Sequence, residues 1–232
     1  MSDLTDRRTR KKARTRAKIR QSAQELFGEH GFESVTIADI ADAADVAVQT
    51  VFNHFPTKEE LFFDGYTRWV DGLADAVRDR PVGMPPLAVV RAYSEDLIRT
   101  AAEHADSDER RRYVTTLNES PALLAYELRL LQRAELLLRE ALTEAWTADP
   151  ATTAAPAEIR VTAALTAALW ISAGSALMRE LRTAQLRDGD ATESAEIVQV
   201  LAARVYDALE AQPASAPTLR ALSPADRVRR AC

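Results

Sequence analysis

Apolar residues recur along most of the chain at the spacing of an amphipathic helix. The first such stripe predicts a helix that starts at about Lys11 and ends before Gly31. Glycine at that point is typical of a helix that ends in the left-handed backbone conformation. The positions that form the stripe are Ile19, Ala23, Leu26 and Phe27. We expect this side of the helix to be buried against the segments that follow it.

Two short helices joined by a tight turn are predicted next. Thr36 begins the first of them, and Asp39 stands three residues later to complete a capping box. Asp45 and Val46 form the turn, and the second short helix runs from about Ala47 to His54. The pattern predicts a helix-turn-helix at about 36–55. A helix of this width fits the major groove of DNA, although many helical bundles contain a purely structural helix pair.

A fourth helix is predicted to run without a break from Lys58 to Val77, because Thr57 and the acidic residues after Lys58 form a strong start signal. Five more helical segments follow at about 87–103, 108–117, 121–146, 157–186 and 192–211. Only seven glycines occur, and alternating strand patterns are missing. The chain is therefore predicted to be all-α, with a disordered tail at 212–232 that contains three prolines.

Charge is unevenly distributed along the chain. Residues 1–20 hold nine basic and two acidic side chains. Residues 1–58 have ten basic and eight acidic groups, net +2, and the rest of the chain has 20 and 27, net −7, which together give −5. This asymmetry fits a basic arm that binds phosphates, and it equally fits a solvated basic tail.

Residues 161–178 contain no charged side chain over 18 positions. That length approaches the roughly 20 residues needed to span a bilayer, but small Ala, Thr and Ser residues dominate the segment. We therefore predict a buried helix pair or a dimer interface here, and no membrane partner. The single cysteine, Cys232, excludes a disulfide within the chain, and the polar N-terminus is unlike a secretory signal, so a cytoplasmic protein is expected.

The segment from Thr15 to Leu61 resembles the DNA-binding domain of the TetR family of bacterial transcription regulators. Its most specific part is FNHFPTKEEL, Phe52 to Leu61, which joins the third helix to the fourth at fixed spacing. The resemblance covers about a quarter of the chain. The matching residues are Ile19, Ala23, Leu26, Phe27, Gly31, Phe32, Thr36, Ile37, Ile40, Ala41, Ala44, Val46, Thr50, Val51, His54, Phe55, Lys58, Glu60 and Leu61.

The resemblance implies an N-terminal helix-turn-helix domain followed by a larger helical domain. On the family pattern we place a basic arm at 1–12, the DNA-binding domain at 13–73 and a helical ligand-binding and dimerisation domain at 74–211. The implied function is that of a homodimeric repressor, which pairs through the helices at about 157–186 and 192–211. Such a repressor binds a palindromic operator in double-stranded DNA. A small lipophilic or acyl-type ligand releases it, with the fourth helix as the lever between the domains.

The same resemblance implies DNA contacts for ten residues, each of which has a solvated surface position as its alternative. Gln49, Thr50 and Asn53 would face the base edges. Thr36, His54 and Lys58 would bind phosphates. Four basic residues near the start of the first helix would add affinity that does not depend on sequence. These four are Lys11, Lys12, Arg14 and Arg16.

Four positions depart from the family pattern and bear on the strength of DNA binding. Asp45 stands where the turn usually has glycine, and Ala47 replaces the usual serine cap of the third helix. Gln49 stands where a small residue is common. Phe52 replaces a tyrosine whose hydroxyl usually contacts a phosphate.

The second half is similar, over short stretches at 80–88 and 120–123, to TetR-family members that bind acyl-CoA-like or other lipophilic ligands. Aromatic side chains between helices, with an arginine to hold an anionic group, would suit such a ligand. Ordinary core packing is the alternative for each aromatic residue. The candidates are Trp69, Arg91, Tyr93, Arg112, Tyr113, Tyr126, Trp146, Trp170 and Met178.

No catalytic pattern is visible in the sequence. The three histidines, His30, His54 and His104, are scattered, and no phosphate-binding glycine loop or metal-ligand spacing occurs. We expect no enzyme activity, no metal and no cofactor. One alternative is a helical dimeric ligand-binding protein whose DNA contacts have decayed, which Ala47 and Phe52 suggest. An enzyme that uses a helical cavity would need a polar pair in the second half that the sequence does not display.

Overall fold

A computed structural model describes residues 2–104, 107–187 and 191–211, with side chains from residue 7 and, in the last range, from residue 193. The described residues form ten helices and no strand. The prediction of an all-α chain with an N-terminal helix-turn-helix is confirmed. The predicted tail at 212–232 lies outside the described residues. The helices are α1 Ser2–His30, α2 Ile37–Ala43, α3 Val48–His54, α4 Lys58–Phe63, α5 Arg68–Arg78, α6 Pro86–Glu103, α7 Asp108–Glu119, α8 Pro121–Ala148, α9 Pro156–Leu186 and α10 Ala191–Glu210.

Helix α1 starts at Ser2, so the predicted start at about Lys11 is wrong. Its 29 residues give a rod of about 43 Å at the usual rise per residue. The segment before Lys11 contains neither glycine nor proline, and arginine has a high helix propensity, so nothing in it ends the helix. Residues 7–14 are all exposed, and the first buried side chain of the helix is Ile19. The basic residues therefore project from a helix and not from an extended arm.

The predicted continuous helix from Lys58 to Val77 is also wrong, because the chain turns between α4 and α5. Gly65 lies in this turn with φ of 90°, a conformation that side chains with a Cβ rarely adopt. Asp64 ends α4 with an extended backbone. Helices α4 and α5 are thus two separate elements joined by residues 64–67.

The chain divides into two compact units. The first consists of Met1–Thr67 and Ser107–Leu128, and the second of Arg68–Asp106 and Arg129–Cys232. Helix α7 belongs to the first unit, although the predicted domain at 74–211 would include it. Two hydrogen bonds fix this placement: Thr116 donates to the carbonyl of Phe27 at 3.4 Å, and the Ser120 hydroxyl donates to the carboxylate of Glu33 at 2.6 Å.

Aromatic rings fill the core of the first unit. Phe27 packs against Phe32 and Phe62 with ring centroids 5.2 and 5.9 Å apart, and Tyr113 of α7 stacks on Phe62 at 4.8 Å. Three of the four residues of the predicted apolar stripe are buried, since Ile19, Ala23 and Phe27 are at most 1% exposed, and Leu26 is half-buried. The three-helix unit is therefore held by burial of the side of α1 that the sequence pattern identifies.

The core of the second unit is organised around Trp170 of α9. Its indole stacks on Tyr206 of α10 with centroids 5.3 Å apart, and its Nε1–H donates to the Ser94 hydroxyl at 2.8 Å. Burial raises the pKa of Tyr206 to about 12. The Ser94 hydroxyl in turn donates to the carbonyl of Val90 at 2.7 Å. Trp170 therefore packs in a hydrogen-bonded core.

Candidate nucleic-acid interface

Thr36 caps α2, and the predicted capping box is confirmed. The Asp39 N–H donates to the Thr36 hydroxyl oxygen at 3.2 Å, and the Thr36 N–H donates to the Asp39 carboxylate at 2.8 Å. The Thr36 hydroxyl also donates to that carboxylate at 2.7 Å. These bonds hold the pKa of Asp39 below its usual value, so this carboxylate is charged at neutral pH. The phosphate contact proposed for Thr36 would form beside that negative charge.

The turn of the helix-turn-helix is built around Asp45. This residue has φ of 50°, in the left-handed region that glycine adopts most readily. Two backbone bonds close the turn, from the Asp45 N–H to the carbonyl of Asp42 and from the Val46 N–H to the carbonyl of Ala41, both at 3.0 Å. Aspartate is therefore compatible with a turn where the family usually has glycine.

Helix α3 has one buried side and one exposed side. Val51 and the capping residue Phe55 are fully buried and anchor the helix to the core. Ala47 is the N-cap residue before the helix and makes no side-chain hydrogen bond, as its replacement of serine predicts. The exposed side consists of Val48, Gln49, Phe52 and Asn53. Thr50 is half-buried, so Gln49 and Asn53 are the better exposed of the three predicted base contacts.

Arg16 holds the end of α3 in place. Its Nη1 donates to the carbonyl of His54 at 2.7 Å, and its Nη2 pairs with the Asp64 carboxylate at 2.6 Å. The guanidinium also lies 4.1 Å from the ring centre of Phe55. Arg20 lies 3.8 Å from the same Asp64 carboxylate. The family resemblance predicts that Arg16 adds affinity for DNA, whereas in the structure its guanidinium binds His54 and Asp64 of the same chain.

His54 is half-buried at the end of α3. Burial lowers its pKa, and the positive charges of Lys12 and Arg16 lower it further. Its Nδ1 is buried and has no hydrogen-bond partner among the described residues. His54 is therefore neutral at pH 7, and a phosphate would be bound by an N–H of a neutral ring.

The lowered pKa of His54 predicts how stability depends on pH. In the pH range between the folded pKa and the unfolded value of about 6.5, the unfolded chain binds more protons than the folded protein. The contribution of His54 to the free energy of unfolding is therefore fully present above about pH 6.5. It is lost progressively as the solution is acidified through that value. Urea unfolding of the protein and of His54→Gln at pH 7.5 and 5.5 checks this. A loss on acidification that is equal in both would contradict it.

Lys58 also makes contacts within the protein. Its Nζ donates to the carbonyls of Phe32 and Val35 at 2.8 and 3.0 Å, and it lies 4.2 Å from the centre of the Phe32 ring. The ammonium thus closes the segment between α1 and α2, and a third N–H remains for a phosphate. Sequence reasoning missed the structural role, because the partners lie 23 and 26 residues away.

Lys58→Ala should have two separable effects. Loss of the two charge-assisted hydrogen bonds should lower the free energy of unfolding. Each bond contributes about 1.5–3 kcal/mol. Loss of a phosphate contact should reduce the salt dependence of DNA binding by about one unit. Urea unfolding and DNA titration over a salt series measure the two effects. Unchanged stability would contradict the structural role, and an unchanged salt slope would contradict the phosphate contact.

The remaining basic candidates lie on the exposed part of α1. Lys11, Lys12 and Arg14 are exposed, and the preceding basic residues Arg7, Arg8 and Arg10 are exposed on the same helix. Such a row of positive charges attracts the phosphate groups of DNA and does not distinguish one base sequence from another. Lys12 also lies near enough to His54 to influence its pKa, so the basic row extends to the end of α3.

The nine ligand candidates are divided between the two units. In the first unit, Arg112 and Tyr113 line a cavity of about 290 Å³ that Phe27, Phe62 and Tyr66 also line, and Tyr126 stacks on Phe63 at 5.3 Å. In the second unit, Arg91 pairs with acidic residues of its own helix and of α10. Trp146 and Trp170 are buried in the core, and Trp69, Tyr93 and Met178 pack against it. Ligand binding by these residues stays a prediction.

Apolar side chains are exposed in rows on α9 and α10. On α9, Val161, Leu165 and Leu169 are 60, 54 and 45% exposed at successive turns. The exposed residues on α10 are Ile197, Val200, Leu201 and Val205. Among the described residues, α9 alone is long and apolar enough to cross a membrane, a weak indication that the core helices of soluble proteins also give. Exposed apolar rows of this kind mark an interaction surface.

Comparison with known proteins agrees with this geometry. Residues 19–64, which include α2, α3 and α4, match the family of bacterial regulatory proteins named tetR. This segment of the chain is thus similar to the TetR family, in agreement with the resemblance of its sequence. The TetR-family match includes the capping box of α2, the exposed face of α3 and Lys58, and it ends at Asp64. The basic start of α1 and the helices after α4 lie outside it.

Relatives of the chain are named as transcriptional regulators. It is 33% identical over 132 residues to the HTH-type transcriptional regulator TcmR of Streptomyces glaucescens, which covers 55% of this chain and 58% of TcmR. It is 31% identical over 64 residues to the HTH-type transcriptional repressor KstR2 of Mycobacterium tuberculosis, covering 28% of this chain and 32% of KstR2. The matches thus span less than two thirds of these relatives. The crystal structure of NalD, the secondary repressor of the MexAB-OprM multidrug efflux pump in Pseudomonas aeruginosa, is 21% identical with a TM-score of 0.49, covering 84% of this chain and 96% of that chain.

Proposed function

We propose that the protein is a homodimeric repressor that binds a palindromic operator and is released by a small lipophilic or acyl-type ligand. The observation that carries this proposal is the exposed side of α3. Four side chains there, Val48, Gln49, Phe52 and Asn53, face solvent on a helix whose other side is anchored by fully buried residues. A rigid short helix with an exposed row of this kind is what insertion into a major groove requires.

The proposed DNA contacts fall into two groups. Gln49, Thr50 and Asn53 contact base edges and give sequence specificity. The phosphate contacts fix the position of α3 on the duplex and contain no sequence information. These contacts come from Thr36, His54, Lys58, Lys11, Lys12 and Arg14, whereas Arg16 acts mainly by holding the end of α3.

The proposed dimer forms through the exposed apolar rows of α9 and α10. In a two-fold dimer both subunits use the same surface, so each subunit buries its own copy of these apolar rows. Two copies of α3 must then lie about 34–36 Å apart to enter successive major grooves on one face of the duplex. This spacing makes dimerisation a condition for tight operator binding.

The proposed effector binds the helical second half and favours a different spacing of the two α3 helices. A ligand shifts such an equilibrium only by the difference in its affinity for the two arrangements. We place the change in spacing at residues 64–67, where α4 has ended and α5 has not yet begun.

A salt-dependent DNA titration tests the proposal. The purified protein should bind a palindromic duplex recovered by selection far more tightly than a scrambled duplex of equal composition, and binding should weaken steeply with salt. Equal affinity for the two duplexes would contradict a sequence-specific regulator. That result would instead favour the alternative of decayed DNA contacts, to which the uncapped Ala47 and the hydroxyl-free Phe52 point.

A further inference from the structure

The exposed side of α3 has an unusual composition for a DNA-binding surface. From Val46 to Thr57 the chain contains no lysine, arginine, aspartate or glutamate, although 28% of all residues are charged. Val48 and Phe52 are 42 and 45% exposed and lie one helical turn apart. This surface therefore offers two apolar side chains and two amides.

Core packing does not account for the exposure of Val48 and Phe52. The core contacts of this segment are made by Val51 and Phe55, both fully buried. The two exposed side chains form an apolar pair beside two amides, and such a pair can contact an apolar group of a partner. In a major groove, the apolar group on a base edge is the 5-methyl group of thymine.

The amides on the same side suit adenine. Gln49 and Asn53 lie one turn apart, and the Gln49 Nε2 donates to the Asn53 Oδ1 at 3.2 Å. That bond leaves the Gln49 Oε1 and a second Nε2 hydrogen directed away from the helix partner. An acceptor and a donor together are what the N6 amino group and N7 of adenine require.

The absent side chains are equally informative. Guanine is contacted most often by arginine or lysine, and cytosine by aspartate or glutamate. None of these four occurs between residues 46 and 57. The side chains available on α3 thus match both bases of an A·T pair and lack the usual partners of a G·C pair.

We propose that α3 recognises A·T pairs, with Val48 and Phe52 in contact with thymine methyl groups and Gln49, oriented by Asn53, in contact with an adenine. This inference rests on the proposed function, because it names the base chemistry that the operator-binding surface recognises. Replacement of the usual tyrosine by Phe52 then enlarges an apolar contact with the base edges and does not merely remove a phosphate contact.

The experiment uses the full chain and a library of duplexes with a randomised centre. Sequences retained by the protein are identified, and the best one is synthesised with thymidine or with deoxyuridine at the A·T pairs of its half-sites. Deoxyuridine lacks only the 5-methyl group and keeps the base-pairing edge and the phosphates. Each contacted methyl group should contribute about fourfold in affinity, the value expected for burial of one such group.

Variants separate a methyl contact from an effect on duplex shape. The double variant V48A/F52A should bind the thymidine duplex about tenfold more weakly, and deoxyuridine should weaken its binding no further. The matched control is Val82→Ala, at a fully exposed valine outside the DNA-binding residues, which should leave both affinities unchanged. Circular dichroism checks that each variant keeps its helices.

The outcomes distinguish the two proposals. If no sequence is enriched, the proposed function fails and this inference fails with it. If a sequence is enriched but deoxyuridine leaves its affinity unchanged, or weakens binding equally in the double variant, the inference about α3 is overturned while the proposed function stands. Half-sites dominated by G·C pairs would overturn it as well.

Discussion

Leu165→Glu should convert the proposed dimer into a monomer and abolish the proposed operator binding. Leu165 is 54% exposed in the middle of the α9 row, between Val161 and Leu169. At a two-fold interface the new carboxylate would be buried without a partner and close to its symmetry mate, at a cost of about 3–5 kcal/mol for each subunit. A loss of that size weakens dimerisation by roughly a thousandfold or more. Sedimentation equilibrium at micromolar concentration measures the change in mass.

The control for this experiment is Val82→Glu. Val82 is fully exposed outside the apolar rows, so a charge there should change neither the mass nor the DNA affinity. The circular dichroism spectrum of Leu165→Glu should remain helical, because its side chain is not part of the core. A Leu165→Glu protein that stays dimeric would contradict the interface through α9 and α10.

Arg16→Ala should lower both the stability of the first unit and its DNA affinity. It removes the bond to the His54 carbonyl and the ion pair with Asp64, so the end of α3 loses its link to α1. Hydrogen bonds to charged groups contribute about 1.5–3 kcal/mol, and we expect a decrease of that order in the free energy of unfolding. Operator affinity should fall by about tenfold or more, since α3 is less rigidly held. Urea unfolding and DNA titration measure the two effects.

Arg14→Ala is the matched comparison. Arg14 lies two residues earlier on the same helix and is exposed. Its removal should leave the free energy of unfolding within about 0.5 kcal/mol of the original and reduce the salt slope of DNA binding by about one unit. If Arg16→Ala behaved like Arg14→Ala, with a lower slope and unchanged stability, Arg16 would be a phosphate contact and not a structural residue.

Local patterns predicted most of the fold. The capping box at Thr36, the left-handed Asp45 and the uncapped Ala47 depend on neighbours within a few residues, so the sequence displays them directly. The burial of one side of α1 follows from apolar spacing in the same way. The predicted ends of the helices after α5 also lie close to those observed, because proline, serine and loop composition mark them.

The errors have physical causes of two kinds. The predicted start of α1 at about Lys11 is too late, because the apolar stripe that predicts the helix does not extend into the basic residues before it, although they lack any residue that ends a helix. The break after α4 was missed because the apolar spacing continues across Gly65, and only its backbone conformation reveals the turn. Both errors concern where a helix begins or ends and not whether it forms.

Contacts across long sequence separations could not be predicted at all. The partners of Arg16 lie 38 and 48 residues away, and those of Lys58 lie 26 and 23 residues away. The family resemblance implied phosphate binding for both residues, and the sequence does not distinguish a basic side chain that binds phosphate from one that binds within the protein. The amide pair of Gln49 and Asn53, by contrast, is one helical turn apart and is visible in the sequence once α3 is placed.

Sequencing of DNA fragments retained by the purified protein tests the central claim most directly. A dimer that inserts two copies of α3 into successive major grooves should enrich an inverted repeat, with half-site centres about 10–10.5 base pairs apart or a multiple of that spacing. Retention that is independent of sequence, or a single unrepeated motif, would contradict the account of a two-fold, operator-binding regulator.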